Sequence, residues 1–165
     1  MASITLKGNP IQTSGDLPKV GSVAPAFKLT GQDLKDVSLE NFSGKWKVLN
    51  IFPSIDTPVC ALSQKAFVSK AAGKDNTVVL NISADLPFAQ KRFCVAEGIE
   101  NAITLSCFRS TFANDWGVQI IDSGLAGLCS RAVVVLDLNG VVVYAEQVPE
   151  IAQEPNHDKA LAALK

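Results

Sequence analysis

Two apolar runs of strand length, each followed by a helix-type pattern, constrain this chain more than anything else in it. Residues 46–52 read WKVLNIF and residues 76–83 read NTVVLNIS. Runs like these, rich in branched residues without strict alternation, mark strands covered on both faces, as in a sheet flanked by helices. The first ends at Pro53, and Thr57 with Pro58 then makes a helix start: threonine is a good cap type and proline suits the first helical position. A helix opening near Thr57 would bury Leu62, Ala66 and Ala71. The second run leads into a helix from about Leu86 to Ala96, where the spacing of Ala89, Phe93 and Ala96 predicts one shared face.

The flanking regions fit the same architecture. Ile4-Thr5-Leu6 and Ile11-Gln12-Thr13 bracket the turn-forming Gly8-Asn9-Pro10, which predicts an N-terminal hairpin. Short extended pieces follow, Ala26-Phe27-Lys28-Leu29 among them. Ile103-Thr104-Leu105 reads as a short strand, and Phe108 to Asp115 as a short helix. Arg131 to Asp137 and Val141 to Ala145 are strands joined at Asn139-Gly140, and the tail from about Pro155 to Leu164 is helical. Strand, helix, strand, helix, then an antiparallel hairpin and a last helix describe an α/β chain. That order suits a thioredoxin-like fold, a mixed central sheet flanked by helices, with residues 1–165 as one domain.

Charge and hydropathy exclude several roles. Fifteen basic residues against sixteen acidic ones, with no basic stripe, predict no nucleic-acid binding. The longest apolar stretches run about five to seven residues, against the roughly twenty of a membrane helix, so no membrane span is expected. The N-terminal segment lacks a charged region followed by an apolar one, and the expected location is cytoplasmic.

The four cysteines, Cys60, Cys94, Cys107 and Cys129, can be buried and inert, metal-binding or catalytic, and local context decides among these. Their spacings of 34, 13 and 22 lack the short paired steps of a structural zinc site, and no metal or other cofactor is expected. His157 is the only histidine and lies far from the cysteine motifs, as a surface residue would, which disfavours a Cys-His hydrolase. Cys60 falls at the third position of the helix that opens near Thr57. Unpaired N–H groups and the positive dipole end favour a thiolate there. Position alone leaves two readings open: a nucleophile, or a small apolar residue packed behind the cap.

Pro53, Thr57 and Cys60 reproduce the Pro-x-x-x-Thr-x-x-Cys motif of the peroxiredoxins at its spacing. The stretch from Ser83 through Asp85, Pro87 and Gln90 to Cys94 resembles the longer signature of the thiol peroxidase subfamily, of atypical 2-Cys type. The resemblance runs from the N-terminal hairpin to the final helix. It implies that Cys60 attacks the O–O bond of a hydroperoxide and becomes a sulfenic acid. It implies that Thr57 orients thiolate and peroxide, that Pro53 shields the pocket, and that Cys94 resolves the sulfenic acid as an intrachain disulfide. An arginine from a distant strand should approach the thiolate, and Arg131, opening the run Ala132-Val133-Val134-Val135-Leu136, fits. Arg92 and Arg109 are weaker candidates.

The resemblance further implies hydrogen peroxide and alkyl hydroperoxides as substrates, thioredoxin as the reductant, an antioxidant role and a homodimer. Cys60 and Cys94 are 34 positions apart and each lies in or near a helix, so their bridging calls for local rearrangement. Cys107 and Cys129 match no role in the family pattern and are expected as buried spectators. A disulfide oxidoreductase of the same fold would carry Cys-x-x-Cys, which this chain lacks. A redox sensor would share the Cys60–Cys94 bond but need not turn over, and a plain binding domain would show no selective peroxide reactivity.

Overall fold

Strand β5 (Trp46–Ile51) lies near the middle of a seven-stranded sheet because its residues are apolar on both sides. The computed structural model describes residues 2–57, 65, 67, 70, 74, 76–99 and 103–164 of the chain. The other strands are β1 (Ser3–Leu6), β2 (Asn9–Gln12), β3 (Leu29–Thr30), β4 (Asp36–Val37), β6 (Thr77–Ser83), β7 (Ile103–Ser106), β8 (Ala132–Leu136) and β9 (Val142–Gln147). Helices α1 (Pro87–Ala96), α2 (Phe112–Asp115) and α3 (His157–Ala162) accompany them, and Lys65, Phe67 and Lys70 are also helical. The sheet order is β4-β3-β7-β6-β5-β8-β9. Strands β5, β6 and β7 run parallel, while β8 and β9 on one side and β3 and β4 on the other are antiparallel. The sheet is mixed, as the expected thioredoxin-like fold requires, and β1 and β2 form a separate antiparallel pair.

Side-chain alternation divides the core between the two faces of the sheet. Leu49, Ile51, Leu80, Ile82, Leu105 and Val134 pack on one face with Phe27, Phe112 and Trp116. Val48, Val133 and Val135 meet Phe67, Ala160 and Leu161 on the other. All five residues of β8 are fully buried, and each such valine or leucine contributes roughly 1.5–3 kcal/mol. The antiparallel β8 thus reads as an unbroken apolar run because both of its faces are covered.

Several sequence boundaries shift for identifiable reasons. The first hairpin turns at Lys7-Gly8, not at Gly8-Asn9-Pro10: both turn residues have positive φ, and Pro10 lies within β2 opposite Thr5. A two-residue loop with two positive φ values matches the twist of its strands. The short helix expected over 108–115 is confined to Phe112–Asp115. On α1, Phe93 is buried and Ala89 partly so, but Ala96 is exposed; the covered stripe is Pro87, Gln90, Phe93 and Cys94. His157 is half-buried instead of on the surface, its ring edge-on to Phe67 at 4.5 Å, and burial lowers its pKa. Leu62, Ala66 and Ala71 lie outside the described residues.

One glycine is required by contact. Thr13 bridges Ile120, and the Ser14 N–H donates to the Gln119 carbonyl at 2.8 Å, so the chain after β2 lies across residues 117–120. Gly117 has φ of 70°, and a Cβ there would stand 2.2 Å from the Asp16 carbonyl oxygen. Gly117→Ala is expected to lower unfolding stability by about 2 kcal/mol or more, from backbone strain plus overlap. Urea denaturation checks this; a loss under about 0.5 kcal/mol would mean that the 13–16 crossing yields freely.

Candidate active site

The carboxyl ends of the parallel strands meet at one edge of the sheet, the usual place for a site in α/β folds. Ile51 pairs with Ile82 on one side and Ala132 on the other, and Ser83 pairs with Ser106. This register gathers Phe52-Pro53, Ser83-Ala84-Asp85, Ser106-Cys107 and Arg131 along one edge. Arg131 falls here because β8 runs opposite to β5, so its start faces the end of β5.

The loop after β5 is fixed by a carboxylate. Asp85 accepts from the Ser54 hydroxyl at 2.8 Å, the Ile55 N–H at 2.9 Å and the Ser83 hydroxyl at 2.6 Å. Three donors on one carboxylate lock residues 54–55 to the end of β6. The Ser54 carbonyl then accepts the Thr57 hydroxyl at 2.9 Å and the Thr57 N–H at 3.3 Å, closing a turn. Gln90, fully buried on α1, donates to the Ser83 hydroxyl at 3.2 Å and the Leu105 carbonyl at 3.1 Å. Helix α1 is thereby tied to the same strand ends. Sequence reasoning missed Asp85 as a clamp. Its signals were its place in the Ser83–Cys94 signature and an acidic residue just past a strand end, neither of which names its partners.

The expected site residues take the following places. Pro53 is buried directly after β5, and Thr57 is partly exposed at the end of the turn. Cys60 lies outside the described residues, as does the start of the helix that Thr57 was expected to cap. Arg131 is 2% exposed, and its Nε donates to the Ile151 carbonyl at 2.7 Å, which fixes the plane of the guanidinium. Arg92 pairs with Asp56 across an exposed 3.3 Å contact, and Arg109 pairs with Asp36 at the far end of the sheet order. Both arginines are surface groups.

Cys94 packs with Phe52, Ile55 and Phe93 in a small apolar cluster that Ala89 and Ile99 complete. It therefore shares its cluster with the loop that carries Pro53 and Thr57. It also lies in the last turn of α1. The Ile99 N–H donates to the Cys94 carbonyl at 3.0 Å, the Gly98 N–H donates to Val95, and Gly98 has φ of 64°. This is a Schellman ending, with Ile99 packed back over Cys94. The Gln32 amide donates to the Thr104 hydroxyl at 2.6 Å and lies 3.9 Å from the Cys94 sulfur. A cavity of about 360 Å³ opens beside Cys94, lined by Gln32, Lys91, Val95, Gly98 and Ile99. Among the described residues, no three His, Cys, Asp or Glu side chains gather to hold a metal ion.

The Redoxin family pattern matches residues 19–161. The thiol peroxidases of Mycobacterium tuberculosis H37Rv and Mycobacterium bovis are each 59% identical over 164 residues, 99% of either chain. The chain belongs to the redoxin family, among its thiol peroxidases. A peroxiredoxin-like protein from Aquifex aeolicus superposes with a TM-score of 0.91 at 37% identity, covering 99% of this chain and 98% of its own. The thiol peroxidase from Chromobacterium violaceum, at 24% identity, shares the fold with a TM-score of 0.88 over 98% of this chain and 94% of its own.

For a thiol peroxidase, the Asp85 clamp decides where the loop after β5 points. Asp85→Asn places an NH₂ group against one of three donors. It is expected to cost about 2 kcal/mol of stability and to lower peroxidase kcat/KM about tenfold or more. Urea denaturation and steady-state peroxide consumption measure the two effects. An unchanged kcat/KM would mean that the loop keeps its course without the carboxylate.

Proposed function

We propose that this thiol peroxidase reduces hydrogen peroxide and alkyl hydroperoxides through Cys60, resolves the product with Cys94, and is recycled by thioredoxin. The Cys60 thiolate attacks one oxygen of the O–O bond, leaving Cys60 as a sulfenic acid and releasing an alcohol or water once protonated. The Cys94 thiol then attacks that sulfur: the S–S bond forms, the S–O bond breaks and water leaves. A thioredoxin dithiol returns two electrons by exchange and becomes a disulfide itself. Thr57 orients the peroxide, Pro53 keeps water from the pocket, and Arg131 stabilises the thiolate and the charge developing on the departing oxygen.

The observation that carries this reading is the place of Cys94 in one apolar cluster with Phe52 and Ile55, the residues on either side of Pro53-Ser54. The peroxiredoxin motif begins at Pro53 and reaches Cys60 seven residues later. The place of Cys94 in the last turn of α1 also supports the expected rearrangement, since unwinding one terminal turn breaks few backbone hydrogen bonds. The anchoring of Arg131 by Ile151 supports its role, because a preorganised donor costs nothing to orient during the reaction.

The same reading takes residues 1–165 as one domain, which the long family match favours. It further includes a homodimer and a cytoplasmic location. No helix among the described residues is long and apolar enough to cross a membrane.

Coupled assays with thioredoxin, thioredoxin reductase and a hydroperoxide test the proposal. Cys60→Ser is expected to lower turnover about a thousandfold or more. Cys94→Ser should consume roughly one equivalent of hydroperoxide and then stall with thioredoxin as the only reductant. Sustained turnover by Cys60→Ser would overturn the assignment.

A further inference from the structure

Two cysteines have no part in the cycle above, and the fold brings them together. Cys107 follows β7 directly, and Cys129 lies 22 positions on, ahead of β8. Their sulfur atoms are 3.7 Å apart, in van der Waals contact. Each backbone is held independently of the sulfurs. The Cys107 N–H donates to the Ser83 carbonyl at 2.9 Å, Cys129 bridges Gln119, and the Ser130 N–H donates to the Val118 carbonyl at 2.7 Å. The contact is therefore set by the sheet and by the 118–130 segment.

The two thiols differ in surroundings. Cys129 is fully buried, whereas Cys107 keeps 6% of its surface. The hydrogen bond between the two sulfurs draws the Cys107 pKa below that of an ordinary thiol. The same contact, together with burial, pushes Cys129 well up. Cys107 is thus the more accessible residue of the two, the one a small oxidant reaches first.

We propose that Cys107 and Cys129 form a second redox-active dithiol, which hydrogen peroxide oxidises to a buried Cys107–Cys129 disulfide without the participation of Cys60 or Cys94. The Cys107 sulfur attacks one peroxide oxygen, the O–O bond breaks, and water leaves with Cys107 as a sulfenic acid. The Cys129 sulfur then attacks Cys107; the S–S bond forms, the S–O bond breaks and a second water leaves. Two thiols lose two electrons and one peroxide gains them. A disulfide of about 2.04 Å asks the sulfurs to approach by about 1.7 Å. Side-chain rotation within two held backbones accommodates a change of that size more readily than unfolding of a helix. The bond would close the segment that carries α2 and lies against β2, two residues before Arg131. The peroxide that fills the principal site would thus also cross-link the core beside it.

The test uses the Cys60→Ser/Cys94→Ser protein, reduced, desalted and treated with hydrogen peroxide. Remaining thiols are alkylated in denaturant, and the digest is mapped without reduction. The wild-type protein, treated with excess peroxide, is mapped in parallel. A peptide containing Cys107 joined to one containing Cys129, released by dithiothreitol, is the expected result in both. Replacing Cys129 with serine in the double-variant background should abolish the link and leave Cys107 as a sulfenic or sulfinic acid. Full alkylation of Cys107 and Cys129 in both proteins after peroxide treatment would overturn the proposal. So would oxidation of Cys107 to a sulfinic acid with no cross-link while Cys129 is present. Because Cys60 and Cys94 are absent from the variant, its outcome is separate from that of the principal cycle.

Discussion

The carboxylate of Asp85 holds the working edge of this molecule together. Its three donors come from two different segments: the Ser54 hydroxyl and Ile55 N–H after β5, and the Ser83 hydroxyl at the end of β6. Without that anchor, a loop leaving a buried strand would have to satisfy its polar groups from water, and the apolar cluster beneath it would open. With the anchor, Phe52 and Ile55 stay in one apolar cluster with Phe93 and Cys94 of α1. Gln90 adds a second tie from the helix to the strand ends. The order of dependence runs from sheet register, to loop, to helix, to sulfur.

Much of the architecture was legible because the strands carry strong patterns. The runs at 46–52 and 76–83 became β5 and β6 within a residue at each end, since both are buried on both sides. The last hairpin was legible for another reason: Asn139-Gly140 suits a turn, and the Asp137 carboxylate accepts from the Asn139 and Val141 N–H groups. The first hairpin was placed one step too late, because the proline that suggested a turn belongs to a strand whose exposure tolerates it. Strand β4 and the 3₁₀ turn at Leu39–Phe42 went unread, since elements of two to four residues leave no periodicity.

The site was legible only through its motifs. Pro53, Thr57 and Cys94 stand out in the sequence by spacing and resemblance, and Arg131 by the family's call for a distant arginine. The partners that position them do not stand out. Asp85, Gln90 and Gln32 act in part through long-range contacts, to Ser54, Leu105 and Thr104, whose partners no local pattern announces. The same holds for Cys107 and Cys129: the sequence gives two unremarkable cysteines, and the fold supplies their contact.

A chain built this way keeps Cys94, the proposed resolving residue, in the last turn of a helix beside a loop that is firmly held. The most direct measurement of that account is a non-reducing peptide map of the reduced wild-type protein after one equivalent of cumene hydroperoxide. The account predicts a dominant Cys60–Cys94 linkage. A different dominant linkage, or a Cys60 that is left unreacted, would contradict it.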